Sequence, residues 1–156
     1  MENILYRTLT EEECERINEM NPSQYIEKAW REVYGKRQLV DINYQDTDWP
    51  NGYQHHYSNL KSTILNGGTA FGAFDNKDRM LGFATINRTI FGEKFSYVLL
   101  DQLFITLEDR GRGIGKRLFL ECAEVAKKWN ADKIYICAGS ASYTHRTLPP
   151  APYVYI

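Results

Sequence analysis

One segment constrains the fold of this chain more than any other, a glycine-rich loop between an apolar strand and an amphipathic helix. Residues 96–106 are almost wholly apolar, which is typical of a strand in the middle of a sheet. After the loop, residues 114–129 carry apolar side chains at the spacing of one buried helix face, and residues 133–138 form a further β-rich run. Strand, helix and strand in this order predict two parallel strands in one sheet.

The loop itself is a physical site for an anion, because unpaired backbone N–H groups and the positive end of the helix dipole meet there. It is not a P-loop, since only three residues separate Gly111 from Gly115 and Lys116 is followed by Arg117 rather than by Ser or Thr. The dinucleotide fingerprint G-x-G-x-x-G also fails, because the third glycine comes one residue too early. We therefore expect a phosphate-bearing ligand, with an ordinary tight turn and helix cap as the structural alternative.

The composition and charge of the chain limit the classes of protein to which it can belong. The chain has 156 residues, of which 43% are hydrophobic and 25% charged, as in one globular domain. A net charge of -1 argues against a dedicated nucleic-acid-binding protein. Residues 1–13 show neither the pattern of a positively charged leader with an apolar stretch nor that of an Arg- and Ser-rich transit peptide, and the given sequence contains no run of about 18 apolar residues. We expect a cytoplasmic protein without a membrane partner, whose three cysteines are reduced thiols.

The start and the middle of the chain predict further elements. Residues 3–9 favour a first strand, and Thr10 and Glu13 have the spacing of a capping box at the start of a helix. Residues 69–74 and 80–87 are β-rich runs joined by four polar turn residues, which predicts an antiparallel hairpin.

The segment between these parts predicts two more helices. Ser23 can cap a helix that Gly35 ends, residues 41–56 show no period and predict a loop, and residues 54–65 predict another helix. The apolar residues that recur at helical spacing after Ser23 are Ile26, Ala29, Trp30 and Val33.

Within the glycine loop, Arg110, Gly113 and Gly115 fit the pattern Arg/Gln-x-x-Gly-x-Gly/Ala. In this context the sequence resembles the GNAT (GCN5-related N-acetyltransferase) superfamily, of the bacterial small-GNAT type, from about Tyr6 to Ser140. The resemblance implies an α/β GNAT fold, with a mixed, mostly antiparallel sheet, central splayed parallel strands and flanking helices. It also implies an N-acetyltransferase that uses acetyl-CoA as donor and no metal.

The resemblance divides a single domain, residues 1–156, into three parts. Residues 1–68 would supply the first strand and the acceptor-side helices, and residues 69–139 the sheet core and the acetyl-CoA site. Residues 140–156 form an atypical tail, because only 17 residues follow Gly139 whereas a mean helix and two mean strands need about 22. One interpretation of residues 153–156 is a short closing strand, which could be exchanged between the subunits of a homodimer. The other is a truncated or altered C-terminus that leaves the thioester pocket partly open.

The resemblance further implies the acetyl-CoA contacts. Backbone N–H groups of residues 111–116 would hold the pyrophosphate, and main-chain groups of the strand end would pair with the pantetheine arm. The residues implied are Leu103, Phe104, Ile105, Arg110, Gly111, Arg112, Gly113, Ile114, Gly115, Lys116 and Ser140.

Acetyl transfer to an amine needs a base, polarisation of the thioester carbonyl and protonation of the leaving thiolate. Asp101 is the candidate base, directly or through an ordered water, since it is a lone carboxylate in an apolar strand and shares a strand face with Leu103. A structural aspartate is the alternative. The resemblance implies a backbone N–H of Phe104 or Ile105 for polarisation, and Tyr143 is the candidate proton donor.

The acceptor side is predicted from an aromatic segment. Trp49, Tyr53 and His56 could surround an amine, although packing of a small core explains them equally well. The adjacent His55 and His56 would point about 100° apart on a helix, so we expect no metal.

The sequence is compatible with three functions. The first is direct acetylation of a primary amine of a small molecule. The second is a GNAT-fold module that binds acyl-CoA with little or no transfer, and the third is acetylation of peptides or proteins.

Overall fold

A six-stranded mixed sheet forms the centre of the protein. The computed structural model describes residues 3–49, 51–88, 92, 94–136 and 153–155. Across the sheet the strands follow the order β1-β4-β5-β6-β7-β8. Their bounds are β1 Leu5–Thr8, β4 Thr69–Phe74, β5 Met80–Ile86, β6 Tyr97–Ile105, β7 Lys133–Ile136 and β8 Tyr153–Tyr155. Of the described pairings only that of β6 with β7 is parallel, and a helix crosses over between these two strands, as the sequence predicted.

Two α-helices cover opposite faces of this sheet. Helix α1 spans Tyr53–Leu65 and α2 spans Ile114–Lys128. Leu60 of α1 packs in one buried cluster with Phe74 and Phe83, and we call this the α1 cluster. Leu118 of α2 packs in a second cluster, the α2 cluster, with members that include Ala84, Val98, Leu100, Cys122 and Ile134. The layers are therefore helix, sheet and helix, with β6 in the interior of the sheet.

The predicted hairpin of β4 and β5 is confirmed, and its turn has a local cause. The Asp75 carboxylate accepts hydrogen bonds from the backbone N–H groups of Lys77 and Arg79, each at 2.9 Å. Such a bond from a side chain to the backbone two residues on stabilises a tight turn. It leads directly into β5, all of whose residues are buried.

The predicted capping box is also present. The Glu13 carboxylate accepts from the backbone N–H of Thr10 at 3.1 Å and pairs with Arg7 at 2.7 Å. The helix that follows, Glu11–Glu19, is a 3₁₀ helix rather than an α-helix. Cys14 and Ile17 on its inner side join the α1 cluster.

The predicted helix after Ser23 is wrong. Residues Gln24–Val33 form β2 and residues Lys36–Asp46 form β3, an antiparallel pair that makes a separate two-stranded sheet. Tyr34 and Gly35 connect them with φ angles of 52° and 77°, as in a two-residue hairpin turn whose central residues both have positive φ. Gly35 thus turns a hairpin instead of ending a helix, and residues 41–46 of the predicted loop belong to β3.

The predicted closing strand forms within the same chain. β8 pairs antiparallel with β7, with Tyr155 opposite Lys133. Exchange of this strand between subunits stays a prediction. Cys14 and Cys122 are buried free thiols, and Cys137 lies outside the described residues. No helix in the described part of the chain is both long and apolar enough to cross a membrane.

Candidate active site

The site begins at the last described pair of β6 and β7. Their parallel register runs from Tyr97 opposite Lys133 to Leu100 opposite Ile136. No residue that the structure describes pairs with this edge of β6 beyond Leu100. The carboxyl-terminal half of β6 therefore carries the backbone groups that the sequence predicted for the pantetheine arm.

The ladder between β5 and β6 determines which of those backbone groups point toward β7. The N–H of Thr106 donates to the carbonyl oxygen of Leu81 at 2.8 Å, and Phe104 lies opposite Phe83. Because bonding direction alternates along an antiparallel strand, the N–H of Phe104 faces β5. The N–H groups of Leu103 and Ile105 face the opposite edge. Two backbone N–H groups, those of Phe104 and Ile105, were predicted to polarise the thioester carbonyl. Of these, the N–H of Ile105 lies on the edge of β6 from which it could reach a thioester.

A β-bulge places Asp101. Thr85 pairs with Gln102 and Ile86 pairs with Leu100, so Asp101 is an extra residue in β6. The N–H of Gln102 donates to the Thr85 hydroxyl at 3.0 Å and so is satisfied despite the irregularity. The bulge brings Asp101 to the α1 side of the sheet.

The prediction that Asp101 and Leu103 share a strand face is wrong for this reason. Leu103 lies opposite Ala84, which belongs to the α2 cluster. Asp101 instead lines a cavity with residues of α1. Alternation by two holds only in a regular strand, and the extra residue breaks it.

Asp101 is half-buried and makes no hydrogen bond or ion pair with any residue that the structure describes. Burial raises the pKa of its carboxyl, and the nearby imidazoles of His55 and His56 oppose that rise. A partly desolvated carboxylate without a fixed partner is suited to accept a proton.

The cavity that Asp101 lines has a volume of about 260 Å³. Most of its wall was not predicted from the sequence, although polar residues recur at i, i+3, i+4 and i+7 along α1 and its C-cap, a stripe that could have indicated it. The other lining residues are Asn59, Ser62, Thr63, Asn66, Asn87 and Arg88.

The predicted aromatic contacts lie in a different environment. Trp49 is 5% exposed and packs in the α1 cluster, with its ring centroid 5.1 Å from that of Phe104. His56 is 6% exposed, and Tyr53 is half-buried with its ring 5.9 Å from that of Tyr57. Core packing, the alternative to substrate contact, therefore explains Trp49. Of the three predicted residues, Tyr53 is the most exposed.

The glycine loop presents its backbone to solvent. Gly111 and Gly113 have φ angles of 81° and 84°, and a Cβ built on either would meet nothing within 4 Å. Gly113 is the N-cap of α2, and its carbonyl oxygen accepts from the N–H of Arg117 at 3.1 Å. Residues 111–113 are exposed where α2 begins, and an open glycine loop at a helix N-terminus is an arrangement that binds a pyrophosphate.

Side chains hold this loop against β6. The Arg110 Nε donates to the carbonyl oxygen of Ile105 at 2.9 Å, and Arg112 bonds to Asp109. Gly115 is close to Ile105, since a Cβ built on Gly115 would lie 3.7 Å from Ile105 Cγ1. Lys116 is exposed. Ser140 and Tyr143 lie outside the described residues.

A family profile described as the Acetyltransferase (GNAT) family matches residues 26–146 of this sequence. The chain belongs to the GNAT acetyltransferase family. Among curated proteins none is significantly similar to it in sequence.

Solved structures share its fold. A nourseothricin acetyltransferase aligns with a TM-score of 0.63 at 17% identity, covering 85% of this chain and 72% of that one. A putative streptothricin acetyltransferase from Bacillus anthracis, in complex with acetyl coenzyme A, aligns at 0.60 and 18%, covering 86% and 74%. A GNAT family acetyltransferase of Staphylococcus aureus aligns at 0.59 and 18%, covering 100% and 99%. At these identities the likeness shows the fold alone.

The family makes the chain an N-acetyltransferase of the GNAT type, whose donor is acetyl-CoA. The exposed loop at residues 111–113 before α2 fits the pyrophosphate of that donor, and the outward N–H groups of β6 fit its arm. Among the described residues no group of histidine, cysteine, aspartate and glutamate could hold a metal ion.

Proposed function

We propose that this GNAT enzyme transfers an acetyl group from acetyl-CoA directly to a primary amine of a small molecule, with Asp101 as the general base. The observation that carries the proposal is the half-buried Asp101 carboxylate, which lies at the bulge and has no bonded partner in the described part of the chain. It lines a cavity large enough for a small acceptor.

The two reactants would approach from opposite faces of the sheet. The glycine loop at the start of α2 supports donor binding from the α2 side, whereas the cavity beside α1 supports acceptor binding from the other. Asp101 lies between them, directly after Leu100, the last residue of β6 with a described partner in β7. This placement favours attack on the donor without a covalent enzyme intermediate.

Acetyl-CoA supplies the acetyl thioester when bound. In the transfer, a C–N bond forms between the amine nitrogen and the acetyl carbon, and the C–S bond breaks with its electron pair on sulfur. Asp101, directly or through a water, takes the proton that the amine loses. The Ile105 N–H, which faces away from β5, would stabilise negative charge on the carbonyl oxygen. Tyr143 as the proton donor to the thiolate stays a prediction.

Two measurements on the whole chain test the proposal. Calorimetry measures acetyl-CoA binding, and release of free thiol is followed with a panel of small primary amines and a panel of peptides. We expect binding together with turnover on small amines. Binding without turnover on any acceptor would favour the acyl-CoA-binding module, and turnover on peptides alone would favour a protein acetyltransferase.

A further inference from the structure

We infer that the cavity beside Asp101 selects a compact primary amine with hydroxyl groups on neighbouring carbon atoms. This inference rests on the proposed function, because it places the acceptor in the cavity that Asp101 lines. It goes further by assigning the substrate class from the hydrogen-bonding groups of the cavity wall.

Every described residue that lines the cavity has a polar or charged side chain. An alkyl or aromatic amine would displace water from these groups without replacing its hydrogen bonds, at a cost for each group left unpaired. A ligand with hydroxyl groups replaces those bonds. The wall therefore disfavours apolar amines.

Two asparagines present acceptors, Asn59 in α1 and Asn66 at its C-cap. Asn66 uses its amide nitrogen to donate to the Ser62 hydroxyl oxygen at 3.0 Å. The Asn59 amide nitrogen lies 3.3 Å from Nε2 of His55. In each side chain one of the two N–H groups of the amide nitrogen is thus directed at a residue of α1, and the Oδ1 atom has no partner among the described residues. These two oxygens can accept only from N–H or O–H groups of a ligand.

Asn87 supplies the complementary donor. Its Oδ1 atom lies 2.9 Å from the Thr63 hydroxyl, which fixes the orientation of the amide. Its backbone N–H donates to the Leu99 carbonyl oxygen at 2.9 Å and anchors the residue beside β6. The amide nitrogen of Asn87 can therefore donate to a ligand oxygen.

The charged groups agree with this pattern. No ion pair joins Asp101 to Arg88 in the described part of the chain, and the Arg88 guanidinium lies 5.5 Å from the centroid of the Trp129 ring. The wall thus offers the Asp101 carboxylate and two amide oxygens as acceptors, and the Asn87 amide nitrogen and the Arg88 guanidinium as donors. Hydroxyl groups both donate and accept, so an amine with several hydroxyl groups matches both kinds of group.

The size of the cavity limits the ligand. Its volume of about 260 Å³ falls just below the range of roughly 300–1,000 Å³ typical of drug-sized ligands. A one-ring or open-chain amino alcohol suits this space.

The test compares two isosteric amines, 2-amino-1,3-propanediol and 3-aminopentane, which differ by exchange of two hydroxyl groups for methyl groups. In the wild type we expect kcat/KM to favour the diol by about 10- to 100-fold, because each hydroxyl gains one or two hydrogen bonds. In Asn66→Leu and in Asn59→Leu we expect that preference to fall about 3- to 10-fold, because each variant removes one acceptor. Gln54→Leu makes the same kind of exchange on an exposed position of α1 outside the cavity, and it should keep the wild-type preference.

The outcomes separate this inference from the proposed function. Equal kcat/KM for the two amines in the wild type, or an unchanged preference in both asparagine variants, overturns the inference while acetylation of amines stands. Binding of acetyl-CoA with no turnover on either probe or on the wider amine panel overturns the proposed function itself.

Discussion

The Nδ1 atom of His56 lies 2.8 Å from Oε1 of Gln102, a buried hydrogen bond that joins α1 to β6 one residue after the bulge. Gln102 is 5% exposed, and its Nε2 atom is buried with no hydrogen-bond partner among the described residues. Gln102 thus makes one favourable hydrogen bond and leaves one buried donor unsatisfied. The net effect of the two on the free energy of unfolding is measurable.

Gln102→Leu should lower the free energy of unfolding by about 1–3 kcal/mol, because the ring N–H of His56 then remains buried without this acceptor. Urea unfolding at pH 7 measures the change. The double variant His56→Leu with Gln102→Leu should recover part of the loss, since replacing both partners by apolar groups is nearly neutral. An increase in stability of Gln102→Leu would show that the unsatisfied Nε2 costs more than the bond contributes.

Asp101→Asn should lower kcat by about 10²- to 10⁴-fold, the usual contribution of a general base. The carboxyl must be ionised to act, and burial raises its pKa above the ordinary value of 3.8. The rate of the wild type should therefore rise with pH through an acid limb above that value, and the variant should lack this limb. Acetyl-CoA affinity should stay unchanged. Glu124→Gln on the exposed side of α2 is the control, and a wild-type rate for Asp101→Asn would remove Asp101 from the mechanism.

Gly113→Glu should weaken acetyl-CoA binding by roughly 100-fold or more, because the carboxylate repels the pyrophosphate at the helix N-terminus. Strain from the positive φ angle also affects this variant. Gly35→Glu controls for that effect, since Gly35 has a φ of 77° and equally open space but lies in the β2–β3 turn. Calorimetry should find normal affinity for Gly35→Glu. Loss of binding in both variants would trace the effect to backbone strain.

Trp49→Ala distinguishes packing from substrate contact. If Trp49 packs the α1 cluster, the variant should lose about 3–5 kcal/mol of stability. Trp49→Phe should restore most of the stability and leave KM for the amine near the wild-type value. A higher KM in both variants with unchanged thermal unfolding would assign the indole to the acceptor site instead.

Glu13 predicts a pH dependence of stability. Its hydrogen bonds to Arg7 lower the pKa of the carboxyl from 4.5 to about 2. A carboxyl whose pKa is lowered by folding contributes stability above pH 4.5, and this contribution is lost as the pH falls toward 2. Glu13→Gln should cost about 1–2 kcal/mol at pH 7 after allowance for solvent screening, and the difference should vanish near pH 2. Glu12→Gln, on an exposed neighbour, should show no such difference at either pH.

The sequence predicted those elements for which the hydrophobic periodicity and a turn- or cap-forming residue indicate the same structure. Apolar β6, the glycine loop and the stripe on α2 indicate the same crossover, and the four polar residues after Phe74 indicate the hairpin. The prediction for residues 24–46 was wrong because the apolar residues there happen to fit a helical spacing. Its turn, Tyr34-Gly35, also lacks the Asn-Gly or Asp-Gly pair that marks a hairpin of this type.

The candidate site was predictable in its backbone part and less so in its side chains. Glycines at a helix start indicate an anion site from sequence alone. The bulge at Asp101 leaves no mark in an apolar strand, so the face of Asp101 could not be derived from alternation. The burial of Trp49 depends on long-range contacts with β5 and β6, which sequence spacing does not encode.

The bulge also links the position of the Asp101 carboxylate to the packing of the α1 and α2 clusters. Leu100 faces the α2 cluster whereas Gln102 and Phe104 face α1, although all three have even numbers. Deleting one residue here would restore regular pairing and turn the first half of β6 over, so that Val98 and Leu100 would face the wrong helix. A substitution at position 101 therefore changes the chemistry of the site but leaves the packing of both clusters in place, whereas deletion of the position would change the packing of both.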